Sequence, residues 1–96
     1  MATISNKGLE LKAKLLNGVA STPFTYVALG SGTTDEANDQ TALVTEITTN
    51  GGARAAATCE YEADYKAKWT KTFSFTGSLS VNEVGVFDAA SSGNML

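Results

Sequence analysis

At 96 residues and a formal net charge of −3, the chain is a single domain whose modest core hides roughly 60–65% of the surface exposed on unfolding. Charged residues make up only 18%, and one arginine with six lysines cannot build the dense cationic face that nucleic acid or an anionic membrane surface requires. There is no histidine, which removes imidazole acid–base catalysis, the common hydrolase triads and the usual catalytic zinc sites, and the lone Cys59 has no internal disulfide partner. No apolar run approaches the roughly 20 residues of a spanning helix, and MATISNKGLELK lacks a signal-peptide core. The expectation is a domain that is neither membrane-inserted nor exported by its own sequence.

Residues 5–18 read as the one helix. Leu9, Leu11, Ala13 and Leu15 also alternate like a strand, but Leu, Glu, Lys and Ala are strong helix formers and no β-branched residue interrupts them. Ser5 or Asn6 supplies the N-cap, Asn17-Gly18 the stop, and Glu10 precedes Lys14 at the favourable spacing. Leu9, Ala13 and Leu16 form a stripe, with Leu15 beside it. That stripe is expected to dock onto a sheet; the alternative is an arm packed on a neighbouring subunit.

A strand follows from Phe24 to Leu29, entered through Pro23 and apolar on both faces as a central strand would be. Residues 30–41 form a polar loop, and Leu43 to Thr48 is either strand or helical turn. Asn50-Gly51-Gly52 signals a turn. The run ARAAATCEYE then alternates, with Ala55, Ala57, Cys59 and Tyr61 inward and Arg54, Thr58, Glu60 and Glu62 outward. After a polar link, Trp69, Lys71, Phe73 and Phe75 share one face of the next strand against Thr70, Thr72, Ser74 and Thr76. Gly77 breaks it. Leu79 and Val81 lead to Asn82-Glu83, Val84 to Phe87 form another strand, and Met95-Leu96 begins a return. The fold class is mainly β: a small antiparallel β-sandwich or barrel with an N-terminal helix, in one domain over residues 1–96.

Each candidate for chemistry has a plainer explanation. Cys59 lies on the inward face beside Ala57 and Tyr61, where a buried structural thiol is expected. Gly30-Ser31-Gly32-Thr33-Thr34 resembles a phosphate cradle but lacks the Gly-Lys-Ser/Thr of a P-loop. Asp35, Asp39 and Glu46 fit three positions of a calcium loop, with Ala37 and Gln40 breaking the template. Glu60, Glu62, Asp64 and Asp88 offer carboxylates without room for a substrate cleft. Arg54 is expected to pair with a nearby carboxylate, or else with one on another subunit.

The N-terminal helix, TYVALGSGTT, GARAAAT, and WTKTFSFTGSLSVNEVGVFDAASSGNML together resemble small virion structural proteins of tailed bacteriophages, of the head-decoration, minor tail or tail-fibre-associated type. Val81 to Leu96 carries the most specific part of the likeness. The resemblance implies a non-enzymatic virion component assembled in the host cytoplasm. It would act through contacts with other copies and other virion proteins, with no cofactor, nucleic-acid, membrane or small-molecule partner. Head decoration is the leading expectation, a tail-fibre or baseplate role the alternative, and a carbohydrate-binding module using Tyr61, Tyr65 or Trp69 a third. Relatives continue past Met-Leu, so the end at Leu96 reads as either a partial sequence or an edge left for a neighbour's strand. No catalytic, cofactor or metal residue is assigned. The expected core is Phe24, Tyr26, Cys59, Trp69, Phe73, Phe75, Val84 and Phe87, and the candidate interface residues are Leu9, Leu16, Arg54, Met95 and Leu96.

Overall fold

The computed structural model describes residues 4–34, 37–63 and 65–96. It is mainly β, with two small antiparallel sheets and one N-terminal helix, α1 (Asn6–Leu16). The first sheet has β1 (Tyr26–Gly30) at its centre, between β2 (Ala55–Ala56) and β5 (Glu83–Phe87). The second is a hairpin of β3 (Thr58–Glu62) and β4 (Lys66–Thr70). The described strands do not close into a barrel.

β1 is central because both its edges are used. Along one edge β5 pairs over its full length, Tyr26 opposite Phe87 and Gly30 opposite Glu83. Along the other, two pieces of chain share the work. Ala55 and Ala56 face Val27 and Tyr26, while Glu46 bridges to Gly30 and the Ile47 amide donates to the Leu29 carbonyl. Residues 45–47 and β2 therefore form one broken strand, with residues 48–54 looping out between them. Within Leu43 to Thr48 no helical turn forms, and only residues 45–47 make strand-like contacts with β1 and Ser31. Asn50 and Gly51 turn the excursion, with φ of 53° and 80° in the left-handed region.

The return after β5 is equally definite. Met95 bridges to Phe87, and the Leu96 amide donates to the Val86 carbonyl at 2.8 Å. Asp88 shapes the turn between them by accepting from the Asn94 backbone and side-chain amides at 2.7 and 2.9 Å. Leu96 thus belongs to a paired segment of this chain, and Met95, assigned above to an interface, is instead buried within it.

The centre of the core is Ala28, Phe87 and Met95, with Tyr26 and Leu43 packed against it. Phe24, Leu29 and Ile47 are also buried, so β1 contributes on both faces. Gly85 stands opposite Ala28 because nothing larger fits there. A Cβ at that position would lie 2.9 Å from the Phe87 ring and 3.2 Å from the Met95 sulfur.

The helix meets the sheet end-on. Ser5 is the N-cap: its hydroxyl accepts from the Gly8 amide at 2.9 Å and donates to the Met95 carbonyl at 2.8 Å. Gly8 is buried against the Leu96 backbone, which a Cβ would approach to 2.7 Å. These contacts set the helix phase. Leu11 and Leu15 turn partly inward, whereas Leu9 and Leu16, the stripe expected to dock, are exposed, Leu16 by 90%. Docking of that stripe on the sheet is corrected: α1 does not lie along any strand.

Three other expectations are corrected. Cys59 is exposed, because the chain leaves the first sheet at Ala57 and β3 pairs only with β4, so nothing covers its face. Phe75 is about half exposed, since β4 ends at Thr70, opposite the start of β3. Beyond that point the alternating residues lose their ladder and cross the 48–54 excursion, where the Thr76 amide donates to the Asn50 carbonyl. Val84 is exposed because no helix lies over its face of β5. Phe73, Tyr26 and Trp69 are half-buried, and Phe87 is 1% exposed.

Gly85→Ala overpacks the Phe87–Met95 contact and is expected to cost about 1–3 kcal/mol. The urea midpoint should fall at unchanged slope; an unaltered midpoint would contradict this packing.

Candidate interaction surfaces

Arg54 is the most constrained polar side chain. Its Nε and Nη2 donate to the Glu46 carboxylate at 3.1 and 2.6 Å, a fork-to-fork pair. Its Nη1 donates to the carbonyls of Ala89 and Ser92 at 3.1 and 2.7 Å, and the guanidinium lies 3.6 Å from the centroid of the Phe87 ring. The side chain is only 7% exposed. Glu46 and Arg54 stand at the two ends of the looped-out segment, so their pair closes its base and keeps the broken strand in line. The ion pair expected from sequence is found, and it is internal. The alternative, a pair between subunits, is corrected because the guanidinium's acceptors lie in its own chain.

Glu83 forms the second polar centre. Its carboxylate accepts from the backbone amides of Gly32, Val44 and Thr45 at 3.0, 2.9 and 2.8 Å. The glycine-rich loop that looked like a phosphate cradle therefore holds an anion from its own chain. Burial pushes the Glu83 pKa up, but the three amide donors together outweigh it and leave the value lowered. Asn82 assists, its amide bonding the Gly30 carbonyl and its side chain the Ser31 carbonyl.

The open depression above Glu46 and Arg54, between Thr48, Ala53 and residues 90–92, holds about 290 Å³. That is at the lower limit of the roughly 300–1,000 Å³ of small-molecule pockets, and the Glu46 and Arg54 side chains in its lining are already paired with each other. Among the described residues no three His, Cys, Asp or Glu side chains come together to hold a metal. Of the calcium-loop residues, Asp35 lies outside the described residues and Glu46 is committed to Arg54. Asp64 also lies outside them. Among the described residues no helix is long and apolar enough to cross a membrane.

The β3–β4 hairpin is different in kind. Every residue of both strands is exposed except Trp69, which is half-buried. One face pairs Glu60 with Lys68 and Glu62 with Lys66; the other pairs Cys59 with Trp69 and Tyr61 with Ala67. Trp69 ties the hairpin to the main sheet through its indole N–H, which donates to the Phe24 carbonyl at 2.6 Å. At the far end the Tyr65 amide donates to the Tyr61 hydroxyl, and Tyr65 itself is 95% exposed. The strand alternation was legible in the sequence, but the separation of this pair from the core was not.

The described residues thus form a small β-domain whose polar centres are paired within the chain and whose β3–β4 hairpin stands apart from the main sheet. The chain belongs to the family described as podophage GP4 fiber I protein gp80, whose model matches residues 4–96. It is therefore a phage structural protein of tail-fibre type, a component of the virion. No curated protein and no solved structure gives a significant match.

The Glu83 cradle gives a pH dependence. Its folded pKa lies below the ordinary carboxylate value of 4.5, so its stabilisation is complete above that value. It is lost as the pH falls through the lowered folded value. Glu83→Gln places an amide among three N–H donors and should destabilise by about 1–3 kcal/mol at neutral pH. Urea unfolding across the acid range should show the difference between variant and parent shrinking as pH drops. A constant difference would remove Glu83 from the account.

Proposed function

We propose that the domain is a non-enzymatic subunit of the tail-fibre region of the virion, acting through protein–protein contacts. The observation that carries this reading is the fibre-family match across residues 4–96. The structure agrees with it in kind: the polar centres are satisfied internally, and the hairpin and the outer helix face, with Leu9 and Leu16, stand free for partners. Many weak contacts made only in the assembled particle would favour assembly by mass action. Head decoration, the leading expectation from sequence, draws no support from a fibre family. The carbohydrate-binding alternative rests on the exposed Tyr61 and Tyr65, whereas Trp69 is half-buried and tied by its indole N–H to the Phe24 carbonyl.

The test is localisation in purified particles. Mass spectrometry should find the protein in virions, and gold-labelled antibody should mark the tail end. Absence from virions overturns the proposal, and label over the head restores the decoration reading.

A further inference from the structure

Two features of the β3–β4 hairpin bear on what covers it. Among the described residues β3 and β4 pair only with each other, so each presents a free backbone edge. A two-stranded hairpin alone is marginally stable in water and gains from added strands. The second feature is the charge. On one face the charged residues of β3 are carboxylates, Glu60 and Glu62, while those of β4 are ammonium groups, Lys66 and Lys68, with Thr58 and Thr70 completing that face. One edge is acidic and the other basic.

Two copies can meet edge to edge in three ways. Joining β3 to β3 around a twofold sets Glu against Glu, and joining β4 to β4 sets Lys against Lys; like charges directly opposite are unfavourable. Joining β4 of one copy to β3 of the next repeats the pairing within each hairpin, Lys68 against Glu60 and Lys66 against Glu62. It also brings Ala67 of one copy beside the 71% exposed Tyr61 of the next, covering apolar surface on the opposite face.

We propose that the hairpin is the self-association surface of this protein, occupied by a second copy in the head-to-tail sense, β4 against β3. This deepens the structural role proposed above by naming the partner, and it rests on that reading. The contact is heterologous, so each copy uses both edges and the assembly grows into a ring where the rotation closes.

The charge pattern supplies the experiment. A variant with Glu60→Lys, Glu62→Lys, Lys66→Glu and Lys68→Glu keeps opposite charges within its hairpin and along its own head-to-tail contact. Mixed with the parent chain, its edges meet like with like. Native mass spectrometry of the two at different isotopic mass should show each assembling with itself and mixed species lost. Statistical mixing would place association on another surface. Preferential mixing would mean like edges pair, and monomers of the parent chain would mean no self-association; each overturns the proposal.

A second arm does not depend on that variant folding. In a Cys59→Ser background, chains carrying Lys66→Cys should crosslink under mild oxidation to chains carrying Glu62→Cys, and neither should crosslink to itself. Self-crosslinking by either, or no crosslink in the mixture, also overturns it. Both arms use purified protein, so their failure is distinguishable from absence of the protein in virions.

Discussion

One guanidinium locks together segments that pairing on β1 brings close to one another. Arg54 pairs with Glu46 across the base of a looped-out segment, donates to two carbonyls of the 89–92 turn, and lies over the ring of Phe87, the most buried large side chain. A small core cannot supply this order through apolar burial alone. Four donor contacts from a single planar group fix the edge strand, the turn after β5 and the ring at the core's centre relative to one another. Lysine would keep the charge and lose the fork and the stack.

The remaining polar devices follow the same economy. Glu83 gathers three amides from two loops, Ser5 caps α1 while bonding the return strand, and Trp69 fastens the hairpin by its indole N–H. Each side chain joins segments far apart in sequence. The result separates two regions: a sheet whose polar groups are satisfied within the chain, and a hairpin whose outer backbone edges are not. Such a division suits a subunit that folds around one part and presents the other.

What was legible in the sequence was local. Residue type gave the helix and Ser5 as one of two candidate caps, the doubly apolar run gave β1 as a central strand, and Asn50-Gly51 gave a turn. Tertiary context decided the rest. The alternation of residues 69–75 is unbroken, yet it outlasts its partner strand, so Phe75 surfaces. Cys59 alternates as an inward residue, but its strand leaves the core at Ala57, a departure that periodicity cannot signal. The helix stripe failed for a similar reason, because phase is set by Gly8 against Leu96, a contact across nearly the whole chain. A carboxylate partner for Arg54 was foreseeable; that it would be Glu46 was not, since the pair forms only once residues 48–54 loop out.

The central claim is that Arg54 and Glu46 act as a unit in holding the fold. It is tested most directly by a double-mutant cycle of Arg54→Met and Glu46→Gln, read by urea unfolding. A coupling energy of about 1–3 kcal/mol is predicted, because either single change leaves the other partner poorly matched. Additive effects within about 0.3 kcal/mol would show the pair to be incidental.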